Sequence, residues 1–200
     1  MTAQNPKKST QSAPVFQLKE NLNGRINNLA LSPSYENTLI PLFEAISNAI
    51  HSIQEKYSDL WASKGKVTVQ IIKDNDGYPT GFIIEDNGVG LNTVNFESFC
   101  TYDSSHKLTK GGKGVGRLTW LKVFDKIHIK SIFSEDNESQ ERSFDFALDN
   151  ECPFPNYKLT PLPKTSSRTV VLLSGFKGRY KATCIKNTKN ILTKFQVRVN

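Results

Sequence analysis

The chain has 200 residues, with 26 Lys and Arg against 19 Asp and Glu, for a formal net charge of +7. That length fits one domain, and a hydrophobic fraction of 37% with 12 Phe and 6 Tyr supplies a core, which excludes a wholly disordered chain. No stretch approaches the ~20 apolar residues of a membrane-spanning helix, so no membrane association is expected. Lys7 and Lys8 are not followed by the apolar segment of a secretory leader. Cys100, Cys152 and Cys184 form neither a disulfide framework nor a C-x-x-C zinc pair, and a cytoplasmic location is expected. Nine basic and no acidic residues fall in 161–200. That segment is read either as a contact for DNA or an acidic protein surface, or as a solvated face.

Taken in chain order, residues 1–13 are polar and aperiodic and predict a flexible arm, with one domain over 14–200. Leu39, Phe43, Ile46, Ile50 and Ile53 recur at spacings of 4, 3, 4 and 3, which predicts a helix within 34–61 that starts or kinks at Pro41. Residues 66–73 alternate and are β-branched, Asp76-Gly77 supplies a turn, and 81–85 reads as a second strand, so a hairpin is expected. The polar stretch 88–113, with apolar insets at Phe96, Phe99 and Tyr102, predicts a functional loop. A helix is expected from Gly114 through Leu118, Leu121, Val123 and Phe124, then strands at 127–133, 144–148 and 169–173. Residues 134–141 read as an acidic hairpin loop, four prolines between 153 and 163 break the connection before the last strand, and 183–195 reads as a terminal helix. The sum is an α+β fold with a mostly antiparallel sheet.

Three motifs carry chemistry. Glu44 and Asn48 lie four residues apart and share one face of the long helix, with His51 and Glu55 continuing the line. A carboxylate there can orient or deprotonate water, and a carboxamide oxygen can ligate a hard cation. The same pair also fits an ordinary polar helix edge. Next, Asp86-Asn87-Gly88-Val89-Gly90 follows an apolar strand. It places an acceptor at the strand end before glycines that allow close approach of a ligand, and it equally fits a plain turn. Last, Gly111-Gly112-Lys113-Gly114-Val115-Gly116-Arg117 opens a helix. Such a backbone cradles anions, yet its spacing is neither a Walker A loop nor a dinucleotide fingerprint. Lys107, Lys110, Lys113 and Arg117 surround it, either to offset phosphate charge or to solubilise the loop.

In order and spacing, the three motifs resemble the boxes of the GHKL ATPase superfamily, which takes in gyrase B subunits, large heat-shock chaperones, sensor histidine kinases and MutL. Glu44 to Ala49 looks like the N-box, Asp86 to Gly90 like the first glycine box and Gly111 to Gly116 like the second; Thr169 looks like the threonine of the last strand box, although Arg168 replaces the usual preceding glycine. The resemblance implies a Bergerat two-layer α/β sandwich with helices on one face, binding ATP and Mg²⁺. Glu44 would be the general base, Asn48 the Mg²⁺ ligand, and Asp86 with Thr169 the readers of adenine. Gly88 and Gly90 would let base and ribose approach; Gly112, Lys113, Gly114, Val115 and Gly116 would wrap the phosphates; and 92–110 would be a lid. Glu44, which histidine kinases of the superfamily lack, favours hydrolysis over phosphotransfer. His51 stands where several members have an acid. The expected activity is ATP hydrolysis driving a conformational or homodimerisation switch, with a nucleotide-sensing module or a basic nucleic-acid-binding protein as alternatives. The superfamily's γ-phosphate cation usually comes from a downstream domain, so the chain is expected to be the N-terminal part of a longer protein.

Overall fold

The structure is a computed structural model that describes residues 22–101, 116–149 and 151–183. The predicted arm, most of the second glycine box and all but the first residue of the predicted terminal helix lie outside these residues.

Helix α1 (Leu22–Asn28) leads into α2 (Tyr35–Tyr57), which a 3₁₀ turn and α3 (Trp61–Lys64) extend. Ser34 caps α2, its hydroxyl accepting from the Asn37 N–H at 3.2 Å, so the helix starts before Pro41 rather than at it. The buried stripe is Leu39, Leu42, Ile46, Ala49 and Ile53. Phe43 and Ile50, predicted to lie within it, sit half-buried at its edge. Pro41 lies inside the helix and is itself buried, and its carbonyl accepts from the Trp120 indole N–H at 3.0 Å. The helix continues through Pro41 although the proline nitrogen donates no hydrogen bond to the preceding turn.

Strands β1 (Val67–Lys73), β2 (Pro79–Asp86), β3 (Phe124–Glu135), β4 (Glu138–Asp145), β5 (Lys158–Leu162) and β6 (Arg168–Phe176) form one sheet in the order β1-β2-β6-β3-β4-β5. Every neighbouring pair is antiparallel. The last strand therefore enters the middle and joins the β1–β2 hairpin to the β3–β4–β5 meander. On one face Phe82, Ile84, Ile129, Phe144, Val171 and Leu173 are buried with the α2 stripe and with Leu118, Trp120 and Leu121 of α5 (Leu118–Val123). The other face carries the cross-strand ion pairs Lys130–Glu141 at 3.0 Å and Arg168–Glu85 at 3.9 Å, and a hydrogen bond between His128 Nδ1 and Asp145 at 2.6 Å. Apolar side chains face the helices and charges face solvent, which makes the molecule a two-layer α/β sandwich. Helix α6 (Gly178–Ala182) follows β6.

Three expectations change. Residues 138–141, read as loop, belong to β4. Asp136 and Asn137, at φ 50° and 65°, make a two-residue hairpin turn of the kind Asp and Asn tolerate. Along β4, Arg142 and Phe144 are buried on the helix side of the sheet, while Glu141 and Asp145 lie on the other face. Residues 93–100, assigned to the loop, form α4 (Thr93–Cys100), capped by the Asn92 carboxamide accepting from the Asn95 N–H at 2.8 Å. The proline-broken connection contains β5, where Pro161 is tolerated because an edge strand does not need every N–H.

Helix α4 is held by aromatic packing. Phe144, fully buried, meets Phe96 at 5.4 Å, Phe99 at 5.6 Å and Phe154 at 5.4 Å between ring centroids. Phe144→Ala should lower unfolding stability by about 3–5 kcal/mol, read by denaturant titration; a loss below about 1 kcal/mol would show that the cluster does not anchor α4.

Candidate functional site

Glu44, Asn48 and Ser52 follow one another at four-residue spacing and form a polar stripe on α2. Both ends of the stripe are occupied. At one end Gly116 lies directly against the Glu44 carboxylate: a side-chain carbon there would stand 2.0 Å from the carboxylate oxygen and displace it. At the other end the first glycine box docks on Ser52. The Val89 N–H donates to the Ser52 carbonyl at 3.1 Å, and the Gly90 N–H to its hydroxyl at 3.4 Å. A side chain on Gly88 would come within 2.6 Å of the Ser52 carbonyl carbon. Asn48, half-buried, lies on the helix between these contacts. The predicted N-box thus meets Gly116, the end of the second glycine box, and Gly88 to Gly90 of the first on one helix face, about 12 Å apart.

Beneath this stripe, three polar residues form a row across the sheet. Asp86 ends β2 and pairs with Thr169 on β6, which pairs in turn with Ser131 on β3. All three are buried. The Gly88 N–H donates to the Asp86 carboxylate at 2.8 Å. The Ser131 and Thr169 hydroxyls are 3.0 Å apart, and the Leu91 N–H donates to Ser131 at 2.8 Å. Gly90 has φ +84°, and a side chain there would meet the Ile132 carbonyl at 2.5 Å, so protein contacts alone already demand this glycine.

Burial pushes the Asp86 carboxyl up from its ordinary 3.8 to about 7; the Gly88 N–H and the Lys56 ammonium pull against that, and Glu85 adds to it. Lys56 is held there by donating to the carbonyls of Asn87 at 2.7 Å and Ser167 at 3.3 Å. Asn87 itself braces the start of β1, accepting from the Lys66 N–H at 2.7 Å and donating to the Lys64 carbonyl at 2.9 Å. A cleft of about 320 Å³ is lined at the strand ends by Asp86 and by Thr68, Glu85 and Arg168, the last three on the face of the sheet opposite α2.

Two buried arginines frame the segment between the glycine boxes. Arg142 donates to the carbonyls of Leu91 and Asn92 ahead of α4 and lies over the Phe96 ring at 4.3 Å. Arg117 donates to the Thr101 carbonyl at 2.6 Å and lies over Phe99 at 5.1 Å. Arg117 is therefore directed into the protein, unlike the phosphate-side cation its place in the basic cluster suggested. Gly112, Lys113, Gly114 and Val115, with Lys107 and Lys110, lie outside the described residues.

The structure brings Glu44 to Gly116, Gly88 and Gly90 to the same helix, and Asp86 to Thr169. Sequence reasoning missed Ser52, Lys56 and Ser131. Ser52 continues the Glu44–Asn48 spacing by one more turn. Ser131 breaks the apolar row Ile127, Ile129, Phe133 on the core side of β3, the signal by which it could have been found. Among the described residues no group of three or more His, Cys, Asp or Glu can hold a metal.

No family model matches the chain, and no curated protein matches it. Among solved structures, the ATPase region of Saccharomyces cerevisiae topoisomerase II is similar at TM-score 0.58 and 13% identity, over 86% of this chain. The chain spans about half, 53%, of the length of that one. At such identity the likeness is one of fold alone: the two chains share a mixed α+β architecture with an antiparallel sheet.

Proposed function

We propose that the chain binds and hydrolyses ATP with Mg²⁺ as a GHKL-type domain, and that nucleotide drives a conformational or homodimerisation switch. The observation that carries this reading is the α2 stripe, on which Glu44 meets Gly116 and Ser52 holds the first glycine box, with Asp86 and Thr169 paired below. Asp86 and Thr169 would face the adenine edge. The triphosphate would run toward Gly116 and the glycines that precede it, from 112 to 115. Asn48 would hold the metal through its carboxamide oxygen, and magnesium when bound offsets phosphate charge. Glu44 would take the proton of the attacking water, with Gly116 keeping its carboxylate at the phosphate end of the stripe. DNA or an acidic protein surface is the partner proposed for the basic residues of 161–200, and the cytoplasm the proposed location.

Calorimetric titration with ATP and Mg²⁺ tests the reading. Binding between about 1 μM and 1 mM is expected, with GTP at least about tenfold weaker and with affinity lowered by chelation of the metal. No heat of binding at millimolar ATP would overturn it.

A further inference from the structure

We propose that the open edge of β1 is an interface through which two copies of this chain join their sheets, antiparallel across a two-fold axis at Gln70. The contact needs no nucleotide and so stands apart from the ATP reading above. Strands β1 and β5 end the sheet, and the two edges differ. Strand β5 carries Pro161, a residue that discourages further pairing at an edge. Strand β1 reads Val67-Thr68-Val69-Gln70-Ile71-Ile72-Lys73, with no proline, glycine or acidic group. Such a strand is a template for another.

The backbone groups already in use show which ones lie open. The Lys66 N–H donates to the Asn87 side-chain oxygen at 2.7 Å, and its carbonyl accepts from the Asn87 N–H at 3.3 Å. The Ile72 carbonyl accepts from the Thr80 hydroxyl at 3.4 Å, and the Asp74 N–H donates to the Tyr78 carbonyl at 2.9 Å. Even-numbered residues are thus turned toward β2. Strand geometry alternates, so the N–H and carbonyl groups of Val67, Val69, Ile71 and Lys73 point away from it. Among the described residues β1 pairs with β2 alone. The irregularity beside Ile72 does not interrupt the edge, because the extra residue, Thr80, is on β2.

Two antiparallel copies bring open groups face to face only when odd-numbered residues meet odd-numbered ones. An axis through Gln70 uses the whole edge: Val67 meets Lys73 of the second copy and Val69 meets Ile71, each pair exchanging two hydrogen bonds. An axis through Val69 or Ile71 instead sets Lys73 against Gly65, or Val67 against Asn75, both outside the strand. The side chains agree with the Gln70 register. Val69 and Ile71 pack on the core and would carry its apolar layer across the join. On the other face Lys66 comes opposite Asp74 at each end, a cross-strand pair of opposite charge. Asp74 gives one carboxylate oxygen to the N–H groups of Asp76 at 3.1 Å and Tyr78 at 2.8 Å, and presents the other. The exposed Leu60 and Trp61 ahead of β1 fall at the end where the second copy carries the exposed Tyr78. The edge is complementary to itself in hydrogen bonds and in charge, which selects a second copy as its occupant.

Sedimentation velocity on the full chain without nucleotide should show a monomer–dimer equilibrium. A dissociation constant of about 1–100 μM suits a contact smaller than standard interfaces. Gln70→Lys and Gln70→Glu each place like charges on the axis and should weaken the dimer about fivefold or more; an equimolar mixture of the two should recover it. Val69→Pro removes an open N–H, a loss an edge strand tolerates, and should give a monomer with an unchanged circular dichroism spectrum. Gln70→Cys should form a covalent dimer on mild oxidation, because a non-hydrogen-bonded pair brings its Cα atoms to about 4.5 Å. Thr68→Cys should not, since its counterpart is Ile72. A chain that is monomeric at roughly 100 μM overturns the proposal. So does a dimer that forms only with ATP, or one that the Gln70 substitutions neither weaken nor cross-link. A chain that dimerises through Gln70 yet binds no ATP supports the proposal and removes the ATP reading instead.

Discussion

Glu44→Gln should slow ATP hydrolysis by about 10²- to 10⁴-fold while leaving the ATP dissociation constant within about threefold. Glutamine keeps the length and polarity of the side chain but cannot accept a proton from water. The split between turnover and binding follows from where Glu44 sits. It lies at the end of the α2 stripe that meets Gly116, two helical turns from Ser52 and the first glycine box. The base and ribose would be held at the far end, by groups the substitution does not touch. Single-turnover phosphate release and calorimetric ATP binding on the same preparation read the two quantities separately. Unchanged turnover would refute Glu44 as the base. Loss of binding would instead show that its carboxylate holds the Gly116 segment in place and that chemistry lies elsewhere. A phosphotransfer enzyme built on the same fold would survive the change, so the result also separates hydrolysis from transfer to a protein side chain.

How much of this was legible in the sequence depends on whether local pattern or distant pairing decides a feature. Helix α2 was legible because its apolar period is a property of neighbouring residues, and Glu44 and Asn48 came with it. Its start was misjudged because Pro41 reads as a break, whereas the Ser34 cap starts the helix ahead of it. Helix α4 was hidden because its apolar side is only Phe96 and Phe99, and its stability comes from Phe144 and Phe154 on other elements. Strand β4 was hidden by its charges, Glu138, Glu141, Arg142 and Asp145, of which Arg142 is buried through contacts with α4 and its cap at Asn92. The insertion of β6 between β2 and β3 is not local either; alternation marks a strand but not its neighbours. The same division holds in the site. Asp86 and Thr169 stand in recognisable boxes, while Ser52 acts largely through its backbone and Ser131 through a register that exists only once β3 and β6 pair.

Asp86→Asn should weaken ATP binding about 100-fold and at the same time raise the stability of the nucleotide-free protein at pH 8. The two effects have one cause. Asp86 is 5% exposed, and burial holds its carboxyl at about 7 against an ordinary 3.8. Between those values the folded chain keeps a proton that the unfolded chain has released. Stability from this group is therefore complete below about pH 4 and is lost as pH rises through about 7. The full loss is on the order of 4 kcal/mol, reached once the buried carboxylate is ionised. Asparagine does not titrate, and its side-chain oxygen can still accept from the Gly88 N–H. Thermal melts should show the variant level with the parent near pH 4 and roughly 10 °C more stable at pH 8. Binding moves the other way because the second oxygen of Asp86 is replaced by an NH₂ group, which would point a donor at the donor of an adenine amine. A variant less stable than its parent at pH 8 would mean that Lys56 over-compensates the buried charge, and that Asp86 is part of the scaffold. A variant both more stable and unable to bind is the signature of a group kept ionisable for a ligand, because a residue placed only for structure cannot gain stability by losing its charge.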